Sequence, residues 1–502
     1  MKVHLMYPDG DFDLTADEPA QAGDLVQDLQ LTYLWDAMGG GDTFLRAVAR
    51  AAVLAPVSDA TVIRYRQQAF EDCQRNPEHA RGLYQIAVDA LELRRGIWGI
   101  PLHNHPRMEL TYAVRLLKEL IGQLERLRVF RGVIDTAFTS PAFRALSGMI
   151  AAELDDAYMA ELRAVLHDLE FPAGMLMSAG LGVGGQVSGQ ILRRPKLERR
   201  RWFDRTPLQR PFFSFTVPDR DEAGAAALAE LEDRSVNEVA NAASQAADHV
   251  QAFFTALRVE VGFYLAAGNL VSALERTGTS ACIPDPASPA PVIAEGIYDP
   301  CLALRTGAAP EKNDVRVTDE MLLVITGANN GGKSTLLRAL GTAQLLMQAG
   351  LPVPADRYAA CPVGQVFTHW AREEDDELVH GKFDEELERM QQIVARLQPG
   401  DLLLSNESFA STNEAEGSEV LRELTHALVH AGVHVYAVTH LYDFASSVLT
   451  DTDLGAVFLR APRSGTGERT FHIEPGPPLP TSFGLDLYDQ AFGTHHAAAD
   501  SL

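Results

Sequence analysis

At 502 residues, with 46% hydrophobic and 22% charged side chains, the chain has room for roughly two to four folded domains and is too apolar to be disordered or fibrous throughout. Its 43 Lys and Arg against 68 Asp and Glu leave a net charge of −25, which excludes a uniformly basic nucleic-acid coat protein and confines any nucleic-acid contact to a local basic patch. Cys73, Cys282, Cys301 and Cys361 form no C-x-x-C pair, so neither a zinc ribbon nor a disulfide framework is expected, and with no signal-like start and no run of 18 apolar residues the expectation is a soluble cytoplasmic protein without a membrane partner.

In chain order, the first strong pattern is helical. Leu110, Ala113, Val114, Leu117, Leu120, Ile121, Leu124 and Leu127 recur every three or four residues with charges between them. The character then changes: Gly180, Gly182, Gly184, Gly185 and Gly189 interrupt apolar residues, a pattern of strands and turns. Three of these glycines match G-x-G-x-x-G, but no βαβ pattern surrounds them, so no dinucleotide site is expected.

Residues 193 to 210 carry Arg193, Arg194, Lys196, Arg199, Arg200, Arg201, Arg205 and Arg210 against only Glu198 and Asp204. This local excess of positive charge suits phosphate contact, with Trp202 available for stacking; a solvated charged hairpin is the other reading. From Val236 to Val261 a second helical period extends over more than 25 residues, the length of a lever or coiled arm. Pro284, Pro286, Pro289 and Pro291 can continue neither helix nor central strand and are read as a linker. Beyond them apolar strands at 321–325, 401–405 and 433–438 alternate with helices from Lys333 and from about Gly417, which predicts a parallel sheet with helices on its faces.

The most specific motif is Gly327-Ala-Asn-Asn-Gly-Gly-Lys-Ser334, between an apolar strand and a helical run. It fits G-x-x-x-x-G-K-[ST]: the glycines let backbone N–H groups close around phosphate, Lys333 reaches the β- and γ-phosphates, and Ser334 can place its hydroxyl on Mg²⁺. The site residues expected from it are Gly327, Asn329, Asn330, Gly331, Gly332, Lys333, Ser334 and Thr335, with ATP and Mg²⁺ as ligands. The strand 402–404 leads into Asn406-Glu407, where a P-loop ATPase usually has Asp-Glu. An amide at 406 offers oxygen without charge and weakens the metal site, while Glu407 keeps the base, so hydrolysis is expected to be slow. The third strand ends in Thr439-His440, from which His440 can orient water or sense the γ-phosphate; a surface or core histidine is the alternative.

Thr326-Gly-Ala-Asn-Asn-Gly-Gly-Lys-Ser-Thr335 resembles the P-loop of the MutS family of DNA mismatch-repair ATPases, TGPNMGGKST, and further family segments follow in order. Val353-Pro-Ala355 is similar to its VPA, Val366-Phe-Thr368 to its IFT, Phe383 to Leu387 to its F-x-x-E-M, and Asn406-Glu407 and Thr439-His440 fall on its Asp-Glu and Thr-His. Upstream, Glu295-Gly-Ile-Tyr-Asp-Pro300 resembles EGRHP and Asn313-Asp314 resembles PND, a likeness that would put Tyr298, Pro300 and Asn313 near the adenine. In the helical part, Leu45 to Ala47 and Tyr65-Arg-Gln-Gln68 look like the family's core and lever region. The resemblance covers residues 25–492 and is fullest over 292–445.

The resemblance implies a multidomain fold: an α-helical core and lever over 1–170, a clamp-like β hairpin over 171–220, returning lever helices over 221–285, an α/β P-loop ATPase domain over 286–493, and a disordered tail over 494–502. It also implies a homodimer through the ATPase domain and DNA, duplex or branched, as ligand; by their local charge Arg193, Arg194, Lys196, Arg199, Arg200 and Arg201 are the residues expected to hold it without sequence preference.

Departures from the pattern bear on function. No Phe-x-Glu mismatch wedge can be placed before the core, so direct mismatch reading is not expected. Asn406 replaces Asp, the family's Gly-rich loop is here Ser408 to Gly417, and its Ser-Thr before Phe383 is Gly381-Lys382. The last two segments serve the partner's nucleotide in the family's composite site. From Arg372 to Arg389 nine acids face three bases; Glu373 to Glu377 read as a solvated loop, and only Glu386 is singled out from the group. A rival function fits these departures: a nucleotide-dependent scaffold that hardly hydrolyses ATP and holds a protein in place of DNA.

Overall fold

The computed structural model describes residues 1–97, 105–172, 174–185, 187–194, 216–218, 220–328, 330–371, 381–462 and 470–479. The N-terminal part is helical: α1 (Ala22–Asp28), α2 (Thr32–Gly39), α3 (Thr43–Leu54), α4 (Ala60–Arg75), α5 (Pro77–Ile97), α6 (Pro106–Ala137), α7 (Pro141–Glu153) and α8 (Asp156–Leu169). Strands β1 (Leu176–Leu181) and β2 (Val187–Arg193) precede the 55-residue α9 (Glu222–Arg276). There follow β3 (Val292–Ile297), α10 (Pro300–Thr306), β4 (Asn313–Val317), β5 (Leu322–Gly327), α11 (Lys333–Gln348), β6 (Arg357–Ala359) and β7 (Val366–Trp370). The described chain closes with α12 (Lys382–Val394), β8 (Leu402–Asn406), α13 (Glu414–His430), β9 (His434–Val438), α14 (Tyr442–Thr450), β10 (Ala456–Ala461) and β11 (Glu474–Pro475).

Two compact units divide these elements. The first comprises residues 1–3, 78–139 and 143–258; the second comprises 4–77, 140–142 and 259–502. The units therefore do not follow the linear segments expected from sequence. Residues 4–77, read as part of a helical core, pack with the α/β region, because their apolar faces find partners far along the chain that no local pattern reveals.

In the first unit all eight expected apolar positions of α6 are buried, together with Leu116 and Ile134. Proline at the first turn of α6 and the Asp155 carboxylate, which accepts the Tyr158 N–H at the start of α8, set where these helices begin. The N-terminal part of α9 buries Val236, Ala240, Ala243 and Ala247, one helical stripe, while Ala246 is exposed. An 18-residue window of α9 is apolar enough to cross a membrane by composition, but 67% of it is buried inside the protein, as in a core helix. β1 and β2 pair antiparallel from Leu176↔Arg193 to Leu181↔Val187, with an irregularity between Ser178 and Gly180. Gly184 (φ 75°) and Gly189 (φ 60°) take left-handed conformations that other residues resist. The pair buries little: Leu181 is 85% and Val183 100% exposed.

The second unit holds a six-stranded sheet in the order β11-β10-β5-β9-β8-β7, parallel except for β11, and a three-stranded antiparallel sheet β4-β3-β6. The central strands are buried along nearly their whole length, with α11 packed on β5, β8 and β9 and α13 on β9. Inserting β9 between β5 and β8 brings the ends of three strands separated in sequence to one edge.

The proline-rich stretch is not a free linker. Asp285 N–H donates to Tyr358 O at 2.9 Å, and Ala360 N–H and Cys361 N–H donate back to Asp285 O and Ala290 O. The prolines bar helix, and the stretch runs instead along β6. The N-terminal segment is equally tied in: the buried Glu260 carboxylate accepts the N–H groups of Leu5 (2.6 Å), Met6 (3.1 Å) and Phe12 (2.6 Å), and Arg66 Nε donates to Met6 O.

Candidate nucleotide site

The loop between β5 and α11 needs its glycines for different reasons. Gly327 has φ 108°, and a Cβ there would lie 2.5 Å from Ala461 O and 2.7 Å from Ala461 N. Gly332, the residue before α11, has φ 94°, and Asn330 also takes the left-handed region at φ 58°. These reversals open the loop at the N-terminus of α11, where unbonded backbone N–H groups and the helix dipole favour a phosphate. Asn329 lies outside the described residues.

Lys333 is buried, and its ammonium donates to Gly327 O at 2.9 Å and Ala328 O at 3.1 Å. Burial pulls its pKa below the ordinary lysine value, and the Glu407 carboxylate opposes that shift. A cation held by the loop's own carbonyls is placed to exchange them for phosphate oxygens.

A cavity of about 970 Å³ opens over this loop. Its floor is Asn330, Gly331, Gly332, Lys333, Ser334 and Thr335. Glu407 and His440, from the ends of β8 and β9, line the same cavity, so the sheet order brings together the base and the histidine that the sequence separates by 33 residues. Asn406 stands one residue behind that wall, 8% exposed, with its Oδ1 buried and without a hydrogen-bond partner among the described residues. Glu407 has φ 54°, a strained value for a non-glycine residue, and its N–H donates to Val438 O at 2.8 Å.

The opposite wall holds Tyr298 and Asn313. The Tyr298 ring is buried, its hydroxyl donates to Ser280 O at 2.9 Å, and burial raises its pKa to about 12. Asn313 Oδ1 accepts the Ile473 N–H at 2.6 Å, which spends the amide on backbone support rather than on a ligand. Pro300 opens α10 and is buried.

Three wall residues escape the sequence reading. Phe471, half exposed at φ 54°, faces the cavity beside Gly332 and offers a ring on which a base could stack. Asp299 caps α10 through the N–H groups of Cys301 and Leu302 and pairs with Arg338 at 3.3 Å; burial raises its pKa despite that cation. Arg338, a charge in the mostly apolar α11, is a signal the sequence holds; Phe471 has none, since only the chain's return beside β10 brings it here.

Mg²⁺ prefers oxygen ligands, and the Ser334 hydroxyl on the cavity wall and the unpartnered Asn406 Oδ1 fit that preference. Of the expected DNA contacts, Arg193 bonds Ser178 Oγ at 2.9 Å and the exposed Arg194 pairs with Asp168 at 2.6 Å. Lys196, Arg199, Arg200 and Arg201 lie outside the described residues.

Two family models match the chain: the MutS2 N-terminal domain over residues 58–277 and MutS domain V, the P-loop ATPase domain, over residues 323–489. Among curated proteins, the chain is similar to Endonuclease MutS2 of Streptococcus thermophilus, 31% identical over 133 residues, which is 26% of this chain and 17% of that protein. It is also similar to Endonuclease MutS2 of Pelotomaculum thermopropionicum, 32% identical over 156 residues (29% and 20%), and of Lactiplantibacillus plantarum, 32% over 130 residues (26% and 16%). The matched stretches thus span a fifth or less of these relatives.

Proposed function

This chain belongs to the MutS family, and from that premise we propose that it is an ATP-binding, slowly ATP-hydrolysing protein of DNA repair or recombination that holds DNA without reading mismatches. The observation that carries the reading is the convergence of Lys333, at the start of α11, with Glu407 and His440, just past the ends of β8 and β9, on one cavity.

In this reading the loop N–H groups and Lys333 hold the phosphates, and Phe471 packs on the base. Ser334, with Asn406 behind it, would hold Mg²⁺, which neutralises charge developing on the transferred phosphoryl group. Glu407 accepts the proton of the attacking water, and His440 orients that water. Nucleotide binding closes a homodimer through the ATPase domains. Arg193, Arg194, Lys196, Arg199, Arg200 and Arg201 contact DNA phosphates, so affinity is independent of sequence and falls with salt.

Titration with a fluorescent ATP analogue tests the site. Lys333→Ala is expected to weaken binding by about 10- to 100-fold, the worth of a charge-assisted contact; equal affinities would overturn the assignment. Asn406 favours a second reading, a nucleotide-dependent scaffold with a protein partner, and tight ATP binding with neither turnover nor DNA binding would select it.

A further inference from the structure

Two residues at the end of β8 share a strained conformation. Glu407 (φ 54°) and Phe409 (φ 62°) are both left-handed, with Ser408 between them. Such a turn persists only where its surroundings fix it.

A buried chain of hydrogen bonds does so. Ser405 Oγ lies 2.7 Å from Ser408 Oγ, Ser408 Oγ lies 2.6 Å from His369 Nδ1, and His369 Nε2 lies 3.3 Å from the Glu386 main-chain carbonyl oxygen. All four residues are buried. The direction of the chain follows from donor and acceptor chemistry. A carbonyl only accepts, so Nε2 carries a proton; when the ring is neutral, Nδ1 then accepts from the Ser408 hydroxyl. The Ser408 oxygen in turn accepts from Ser405. Glu386 closes the other side, its Oε2 accepting the Phe409 N–H at 2.8 Å. The His369 ring packs 5.9 Å from the Phe409 ring.

Ser405 and Ser408 flank Asn406-Glu407, so this chain grips the candidate base from both sides through the backbone. None of the four groups lines the nucleotide cavity. We propose that His369, acting through Ser408 and Ser405, is a positioning residue that holds Glu407 in the left-handed turn from which it faces the nucleotide. The inference rests on the hydrolysis reading above. It gives the buried histidine a task that nucleotide binding itself does not need.

Three variants of the full chain test it: Ser408→Ala, which deletes one oxygen with little loss of packing; His369→Phe, which keeps a ring without the acceptor; and His369→Asn, whose Oδ1 can accept in place of Nδ1. Steady-state ATP turnover, affinity for a fluorescent ATP analogue and thermal midpoint are measured for each. Ser408→Ala and His369→Phe are expected to lower kcat by about tenfold or more while affinity stays within about twofold, and His369→Asn to recover most of the loss. Wild-type kcat in Ser408→Ala overturns the proposal, as does a parallel fall of kcat, affinity and thermal midpoint, or a His369→Asn variant no better than His369→Phe. A wild-type protein without turnover removes the hydrolysis reading and this inference with it; active wild type with unaffected variants removes this inference alone.

Discussion

The nucleotide cradle and the β1–β2 hairpin are held in opposite ways. Around the cradle, Lys333, Asn406, Ser405 and Ser408 are buried, and strained residues are fixed by named bonds from neighbouring strands. On the hairpin, Leu181 and Val183 stand in solvent, and the ion pair of Arg194 is with the surface residue Asp168. A site that does chemistry on phosphate needs groups fixed to a fraction of an ångström, so its residue types are dictated position by position. A surface that meets a polyanion needs only charge and reach, which many sequences supply.

The largest way to break this contrast is to fill the cradle. Gly327→Val puts side-chain atoms against the Ala461 backbone at a φ that valine resists, at an expected cost of about 3 kcal/mol or more in stability. Nucleotide binding should be lost with it. Retained affinity in a titration, with an unchanged thermal midpoint, would show that the loop is not as tightly specified as described.

A second test concerns the buried carboxyl of the same unit. Burial pushes Glu260 up to about 7, although the N–H groups of Phe12, Leu5 and Met6 favour its charged form and Asp11 adds to the rise. Because its folded pKa exceeds the unfolded value, the stabilisation is complete below the unfolded pKa and is lost as pH rises through about 7, in all about 3 kcal/mol. The thermal midpoint of the wild type relative to Glu260→Gln should therefore fall between about pH 5 and pH 8, since the amide does not titrate. A constant difference would contradict the shift.

The smallest effect belongs to the hairpin. Reversing Arg193 and Arg194 together to Glu should leave thermal midpoint and ATP affinity unchanged, weaken all DNA sequences alike, and flatten the salt dependence by about two units of slope. Loss confined to one DNA sequence would point to base contacts instead.

The same contrast governs what could be read in advance. The strand–loop–helix around Lys333 was legible because each of its residues answers a local demand, and the parallel sheet followed from alternating apolar strands and helices. The return of residues 4–77 to the α/β unit was not, since Glu260 meets Leu5 across 255 residues and no periodicity encodes that meeting. Phe471 carries no local signal for the same reason. The prolines at 284–291 resemble a linker in sequence because proline shows only what a segment cannot form, and gives no hint of the bonds made by Asp285 and Ala290. Asn406 was legible as a departure, but its buried, unpartnered oxygen was visible only in three dimensions.

Steady-state ATP hydrolysis by Asn406→Asp and Glu407→Gln, beside the wild type, tests the central claim most directly. Restoring a carboxylate behind the metal position should raise turnover by about tenfold and tighten Mg²⁺ dependence. Removing the base should lower turnover by about 100-fold or more while ATP binding is kept. If both variants hydrolyse ATP at the wild-type rate, the end of β8 is not the catalytic edge, and the account of this cavity as a hydrolytic site is contradicted.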